Sequence, residues 1–311
     1  GLDVVNGGGG ADTDCDGHGT FVAGIIAAAA DSDTSFVGVA PRAVILPVRQ
    51  ANDREDGDSR GMSEAIVYAV DNGASVINVS ASATRDDPEL AAAVEYAEHN
   101  DVLVVAALSN DAENGNPSSY PAAYPTVISV GSVDASGRRS SFSETGEGID
   151  LVAPGEDVVS VAAGTSGHAA LSGTSFATPF VSGVAALIRS AHPELDVAEV
   201  RHRLLVTADH PGRDRPDDEL GWGLVNPFRA VTAVIPTEPT SAPAGDAIDL
   251  ASPTSDTTGS LPNATSRLLV GLVLFAALFA TVLTVAQAAR RPRTAAVLPA
   301  QTTTRHGGPT P

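Results

Sequence analysis

Lysine is absent from this sequence, cysteine and methionine each occur once, and aromatic residues make up only 4% of its 311 residues. A single cysteine excludes an intrachain disulfide framework and a cysteine metal cluster. Arginine supplies all 18 basic side chains, which face 38 acidic ones and leave a formal net charge of -20. A field of that sign repels nucleic acid, so a basic patch for DNA or RNA is excluded for the bulk of the chain. The length suffices for one large or two ordinary domains with a buried core.

A long uncharged run lies near the C-terminus, at residues 268–289. As an α-helix these residues would extend about 33 Å at 1.5 Å each, enough to cross the hydrocarbon layer of a membrane. Arg290, Arg291 and Arg293 follow at once, and the positive-inside rule places such a cluster on the cytoplasmic side. We therefore expect a single-pass helix in the cell membrane, a short cytoplasmic tail at 290–311 and an extracytoplasmic N-terminal bulk.

The rest of the chain divides by composition. Residues 236–267 are rich in Pro, Thr, Ser and Ala and poor in large apolar side chains, which predicts a disordered stalk. Residues 1–235 alternate β-branched runs with Ala-rich helical patterns. The predicted strands are 43–50, 75–82, 101–108 and 126–133, and the predicted helices between them are 62–73 and 88–100. This alternation predicts an α/β fold with right-handed crossovers, a parallel sheet and helices on both faces.

Two apolar helices with Gly-flanked starts carry the candidate chemistry. His18 lies between two glycines in DCDGHGTFVAGIIAAAA (14–30), and Ser175 lies at the start of the helix in SGTSFATPFVSGVAALIRSA (172–191). A serine hydroxyl becomes an effective nucleophile when a base takes its proton, and imidazole suits that task at neutral pH. Each residue alone also has an ordinary explanation, as a helix N-cap or as a hydrogen-bonded structural histidine.

Read together, the two strings resemble a known family. GHGTFVAGIIA and GTSFATP are similar to the histidine and nucleophile boxes of the subtilisin-like serine proteases. Weaker matches follow in the same order at 38–50, 65–80, 141–155 and 221–231, so the resemblance covers nearly all of residues 11–235. It implies a subtilisin-like three-layer fold for a peptidase domain at residues 1–235.

The resemblance also implies the roles of three residues. Ser175 would be the acyl-accepting nucleophile and His18 the general base. Asn110, at the end of DVLVVAALSN, matches the oxyanion-hole asparagine, whose amide donates to the tetrahedral oxyanion together with the backbone N–H of Ser175. An asparagine after a strand is otherwise usually a turn former.

Two positions depart from the family pattern. Ser109 stands where the residue before the asparagine is usually glycine, and Ser80-Ala81-Ser82 stands where the substrate-pairing strand often reads Ser-x-Gly. Backbone pairing with a peptide substrate remains expected. The side chain preferred before the scissile bond does not follow from these residues, because small changes in pocket shape decide it.

A third triad member, an aspartate, is also implied by the resemblance, usually in a V-x-V-x-D-[ST]-G strand well before the histidine. Only seventeen residues precede His18, and none forms such a strand. The acids available there are Asp3, Asp12, Asp14 and Asp16, and none is assigned. We therefore expect an N-terminally truncated domain whose aspartate precedes Gly1, and a weak or inactive protease in this chain alone. The lone Cys15 points the same way, since its disulfide partner would also be missing.

The layout of protease domain, stalk, membrane helix and short basic tail, with DCDGHGT before the helix, is similar to the mycosins. These are membrane-anchored proteases of type VII secretion systems in actinobacteria. The resemblance implies a serine endopeptidase with protein or peptide substrates and a secretion membrane complex as partner. The alternative is a non-catalytic scaffolding component of that complex, and the coding sequence upstream of Gly1 would discriminate the two. A soluble, secreted degradative subtilisin is disfavoured by the predicted membrane helix.

No cofactor is expected. Five further histidines of the domain lack the spacing of a zinc site. They are His99, His168, His192, His202 and His210. The acidic loops 53–58 and 214–219 fit either a structural Ca²⁺ ion or a solvated acidic loop, and their spacing does not separate these alternatives.

Overall fold

The structure is a computed structural model that describes residues 1–239 apart from residues 7, 12, 15, 33, 51–57, 165, 166 and 213. Within these residues the strands are β1 (Leu2–Asp3), β2 (Val48–Arg49), β3 (Val76–Val79), β4 (Leu103–Ala107), β5 (Ile128–Val133), β6 (Leu151–Pro154), β7 (Val158–Val161) and β8 (His168–Leu171). The helices are α1 (His18–Ala27), α2 (Ser59–Asp71), α3 (Pro88–His99), α4 (Thr174–Ala191), α5 (Val197–Val206) and α6 (Pro227–Thr232).

The strands form a mainly parallel arrangement. β3, β4, β5 and β6 pair in that order as a parallel four-stranded sheet, β1 and β2 form a separate parallel pair, and β7 and β8 form an antiparallel hairpin. Helices separate the consecutive strands from β2 to β4, which is the crossover connection that parallel pairing requires. The predicted α/β fold with a parallel sheet is confirmed.

The sheet is covered by helices on both faces. Along β4, Val104 and Ala106 pack with the core that contains α2 and α3, whereas Leu103 and Val105 pack with the core that contains α4 and α5. All five residues of β4 are buried, as expected for a central parallel strand that faces apolar layers on both sides. The result is the three-layer architecture that the sequence predicted.

A slot separates β2 from β3. The two strands are not paired with each other, and a cleft of about 1750 Å³ runs between residues 46–50 and residues 75–80. We call the part lined by these two ranges the β2–β3 slot. Apolar side chains beside it are exposed, above all Val44, which is 96% exposed. Within the predicted strand 43–50, the strand pairing among the described residues is at Val48 and Arg49, with β1.

The C-terminal end of the domain is anchored by a buried arginine. Arg203 on α5 is 1% exposed and donates hydrogen bonds to the carbonyl oxygens of Ala230 and Ala233, at 2.5 and 2.6 Å, and it forms an ion pair with Glu238. The chain is therefore fixed to the domain a few residues beyond the predicted boundary at 235.

The predicted membrane helix at 268–289 and tail at 290–311 lie outside the described residues, as do all but the first residues of the predicted stalk. Within the described part of the chain, no helix combines the length and apolar character needed to span a membrane.

Candidate active site

Ser175 lies in the first turn of α4, where glycine is required immediately before the helix. The N-cap residue Gly173 has φ 153°, a conformation that side chains disfavour. A Cβ at this position would also lie 3.6 Å from the ring of Phe176 and 3.7 Å from Nδ2 of Asn110. These are ordinary van der Waals distances, so it is the backbone conformation, rather than lack of space, that requires glycine here.

A proline inside α4 explains how Ser175 is tied to the neighbouring strand. Pro179 has no N–H, so the carbonyl of Ser175, four residues earlier, lacks its helical donor. The hydroxyl of Ser80, just after β3, donates to that carbonyl at 2.7 Å instead. In return, Oγ of Ser175 donates to the carbonyl of Ser80 at 3.2 Å. The nucleophile candidate is thereby placed beside the predicted substrate-pairing segment.

Two N–H donors near Ser175 are available for an oxyanion. Oδ1 of Asn110 accepts from the backbone N–H of Thr174 at 2.9 Å and from its hydroxyl at 3.1 Å. Because the N–H is only a donor, this contact fixes which end of the amide is oxygen and leaves Nδ2 as the donor. Among the described residues, neither Nδ2 of Asn110 nor the N–H of Ser175 has a hydrogen-bond acceptor. The latter is one of the unpaired N–H groups that every helix start presents.

His18 is the first residue of α1, which packs against α4. Its ring lies 5.4 Å from the ring of Phe176, the residue after Ser175, measured between centroids. His18, Asn110 and Ser175 all line one cleft. The structure therefore brings the three predicted site residues together, while their chemical roles remain predictions.

The start of α1 is stabilised by the carboxylate of Asp14, to which the sequence analysis assigned no role. Asp14 accepts hydrogen bonds from the backbone N–H groups of Gly17 and Thr20, at 2.8 and 2.6 Å. Burial raises the pKa of the Asp14 carboxyl, but hydrogen bonds from Thr20 and Gly17 and the nearby His18 outweigh it and hold the pKa below its ordinary value. Asp14 thus caps the helix that presents His18. An aspartate a few residues before an apolar helix is the signal that could have predicted this role.

The other candidate acids differ in their surroundings. Oδ2 of Asp16 accepts from the backbone N–H of His18 at 3.2 Å. Asp3 is bound by Arg49 at 3.2 Å and by the side chain of Asn6 at 2.7 Å, within the β1–β2 pair. Asp12 and Cys15 lie outside the described residues.

Replacing Asp14 by alanine is expected to lower the free energy of unfolding by about 1 kcal/mol at pH 7, as loss of a helix cap does. A depressed pKa in the folded state means that the stabilisation by Asp14 is present above the ordinary aspartate value of about 3.9 and is lost as the pH falls through the folded value. The melting temperatures of the two proteins should therefore converge below about pH 4, as measured by circular dichroism. A Glu113→Gln variant, on an exposed site, controls for the removal of one negative charge. A constant difference between pH 7 and pH 2 would contradict the role of Asp14.

Ser109, in place of the usual glycine, is built into a polar cluster. Its backbone N–H donates to Oγ of Ser119 at 3.2 Å and to Oε2 of Glu144 at 3.0 Å, and its hydroxyl accepts from the N–H of Asp111 at 3.0 Å. The hydroxyl of Ser119 donates to the same oxygen of Glu144 at 2.7 Å. Sequence reasoning missed Glu144, because it lies 34 positions after Asn110 and no local pattern marks it.

No group of three or more potential metal-ligating side chains is found among the described residues. In the acidic loop 214–219, Asp217 accepts hydrogen bonds from the N–H groups of Glu219 and Leu220 and contacts His210. These hydrogen bonds of Asp217 stabilise the conformation of the loop 214–219. Most of the other acidic loop, 53–58, lies outside the described residues.

Comparison with known proteins agrees with this arrangement. Residues 5–223 match the profile of the Subtilase family. The chain is 34% identical to Mycosin-1 of Mycobacterium tuberculosis over 297 residues, which cover 78% of this chain and 66% of Mycosin-1. It is 39% identical to Subtilisin DY of Bacillus licheniformis, over 69% of this chain and 77% of that protein.

A solved structure is similar as well. It is that of the serine protease MycP1, described as an essential component of the type VII (ESX-1) secretion system, with a TM-score of 0.64 and 33% identity over 74% of this chain and 77% of that one. Of the relative named first, Mycosin-1, the matched region covers 66%, which is just under two thirds of its length. On the match of residues 5–223 and on these relatives, the chain belongs to the subtilase family and is related to the mycosins.

Proposed function

We propose that the domain is a serine endopeptidase in which Ser175 is the nucleophile and His18 the general base. The observation that carries this proposal is the pair of unpartnered N–H donors, Nδ2 of Asn110 and the backbone N–H of Ser175, beside a serine hydroxyl in a first helical turn. Donors preorganised where negative charge develops stabilise a tetrahedral intermediate. A serine that only capped a helix would not require a second unpartnered N–H donor, such as Nδ2 of Asn110, nearby.

The chemistry follows from these positions. The hydroxyl of Ser175 attacks the carbonyl carbon of the scissile bond while its proton passes to the imidazole of His18, and the carbonyl oxygen takes the negative charge between the two donors. His18 then returns the proton to the leaving amine, and water hydrolyses the acyl-enzyme by the same steps in reverse. Residues 80–82 would pair with the peptide backbone of the substrate.

We further propose that a parallel strand carrying an aspartate fills the β2–β3 slot in the active enzyme. Three features support it. Among the described residues, β2 pairs in a sheet with β1 and β3 with β4, so neither pairs across the slot; the slot is continuous with the cleft of His18 and Ser175, and apolar side chains lie exposed beside it. The aspartate would hold the imidazole in the tautomer and orientation that accept the proton of Ser175.

Covalent reaction of Ser175 with a fluorophosphonate probe tests the proposal. Mass spectrometry should locate the adduct on Ser175 alone. A strand-forming peptide that carries an aspartate and fills the β2–β3 slot should accelerate formation of the adduct. Absence of an adduct even with the slot filled would contradict the serine endopeptidase.

We also propose that residues 268–289 anchor the domain in the cell membrane, with the domain outside and the tail inside, in association with a type VII secretion complex. Support comes from the uncharged run and its arginine cluster and from the likeness to MycP1.

The membrane fraction of cells that express the full chain should retain it after an alkaline carbonate wash. Replacing both Leu274 and Leu278 by arginine should release it, since each arginine at the centre of a span costs roughly 2.5 to 3.5 kcal/mol on insertion. The matched control replaces Thr302 and Thr303, in the predicted tail, by arginine and should stay in the membrane. Recovery of the original chain in the soluble fraction would refute the anchor.

The second candidate function is a non-catalytic component of the same complex, which the likeness to MycP1, described as an essential component of the type VII (ESX-1) secretion system, favours. A Ser175→Ala chain that supports secretion as well as the original one does would establish this function instead of the endopeptidase.

A further inference from the structure

The walls of the pocket next to Ser175 can be traced from the hydrogen bonds. One wall begins at Ser80, which is bonded to Ser175, and continues to Ala83. At about 3.3 Å per residue this wall is roughly 10 Å long. The other wall is residues 108–110, ending at the oxyanion candidate Asn110. A substrate whose carbonyl lies between the two oxyanion donors and whose backbone pairs with residues 80–82 directs the side chain before the scissile bond between these walls.

The floor of this pocket is formed where both walls meet a third segment. Ala83 and Tyr120 exchange two backbone hydrogen bonds of 2.8 Å, so Tyr120 and its neighbour Ser119 close the far end of the first wall. Ser119, which is 2% exposed, also bonds to Ser109 in the second wall. Because Ser119 joins the far ends of both walls, we place the floor of the pocket at Ser119.

A carboxylate lies at this floor. Oε2 of Glu144 accepts from the hydroxyl of Ser119 and from the N–H of Ser109. Its other oxygen, Oε1, accepts no hydrogen bond from the described residues and is not enclosed. Within the described part of the chain, no Arg or His forms an ion pair with Glu144. Half-buried carboxylates are normally paired, because removal from water without a partner is costly.

We propose that Glu144 is a specificity-determining residue that selects peptides with arginine or lysine immediately before the scissile bond. The proposal rests on the proposed endopeptidase function, since it assumes the substrate position given by Asn110 and Ser175. The basic side chain supplies the cation that Glu144 lacks, and an acidic side chain is repelled. The strongly negative charge of the chain favours basic substrates in the same sense.

Binding of peptides that differ only in the residue before the scissile bond tests the proposal without requiring turnover. In a Ser175→Ala background, fluorescence anisotropy should give about tenfold or more tighter binding for arginine than for leucine, the effect of a charge-assisted hydrogen bond. A Glu144→Gln substitution should abolish this preference and leave the affinity of the leucine peptide unchanged. Because a glutamine carbonyl oxygen can still accept from Ser109 and Ser119, a merely structural Glu144 would leave the ranking unaltered. Glu147→Gln, an exposed position in the same loop, is the matched control and should retain the preference.

The outcomes separate this proposal from the proposed function. Equal binding of the peptides, no binding, or a preference that survives Glu144→Gln overturns the role of Glu144. If fluorophosphonate labelling of Ser175 occurs alongside such a result, the endopeptidase stands and only the specificity is refuted. An arginine preference that depends on Glu144 in a chain whose Ser175 never labels supports the binding site and refutes the catalytic function.

Discussion

A Ser175→Ala chain is expected to form no adduct with a fluorophosphonate, and a His18→Ala chain is expected to react about 70-fold more slowly than the original. The first change removes the hydroxyl of the proposed nucleophile, in the helical turn that also carries one of the two unpartnered donors. The second removes the base, without which a serine hydroxyl is almost fully protonated and weakly nucleophilic. In subtilisin, loss of the nucleophile or of the base alone costs about 2 × 10⁶ in kcat, and loss of the aspartate alone about 3 × 10⁴. Their ratio, about 70, sets the expected effect of losing His18 in a chain without the aspartate.

The measurement is the second-order rate constant for adduct formation, followed by intact mass and located by peptide mapping. Ser172→Ala is the matched control, because Ser172 is an exposed serine three residues earlier, just before α4, and should not matter to the rate. Equal labelling of the original and Ser175→Ala chains would mean that the probe reacts elsewhere. Equal rates for the original and His18→Ala chains would remove His18 from the mechanism even if Ser175 labels.

The candidate site was predictable from the sequence where local signals exist. His18 and Ser175 each stand in a Gly-flanked start of an apolar helix, and such starts expose their residues at the edge of an α/β sheet. Asn110 follows a five-residue strand that is buried on both faces. These elements keep their local preferences when the chain folds, so pattern and structure coincide there.

The contacts that complete the site were not predictable, because they join residues far apart in sequence. The hydroxyl of Ser80 bonds to the carbonyl of Ser175, 95 positions away. Pro179 predicts that this carbonyl needs a donor from outside the helix, but no residue near it in sequence indicates that the donor is Ser80. Glu144 reaches Ser109 in the same way, across 35 positions. The strand predicted at 43–50 is present but shorter, at Val48–Arg49, since the length of a strand depends on its pairing with neighbours that are distant in sequence.

A peptide that fills the β2–β3 slot is expected to raise the labelling rate of Ser175 by up to about 10⁴. In subtilisin, loss of the triad aspartate alone costs about 3 × 10⁴ in kcat, and this sets the scale for its return. The peptide should be a short β-branched strand ending in Asp-Ser-Gly, fused to the N-terminus through a Gly/Ser linker, which gives it an effective concentration in the millimolar range. Its backbone would pair with β2 and β3 on the sides that face the slot, and its apolar side chains would cover Val44 and the adjoining walls.

Two fusions separate the strand from its carboxylate. With asparagine in place of the aspartate, the melting temperature should rise as much as with the original peptide, because pairing and burial are unchanged, while the labelling rate stays low. With proline in the middle of the strand, both gains should disappear, since proline cannot donate to the neighbouring strand. A higher melting temperature without faster labelling for the aspartate fusion would mean that the slot binds a strand but that His18 takes its carboxylate from elsewhere. No change in either quantity would mean that β2 and β3 do not accept a strand between them, and the architecture proposed for the active enzyme would be wrong.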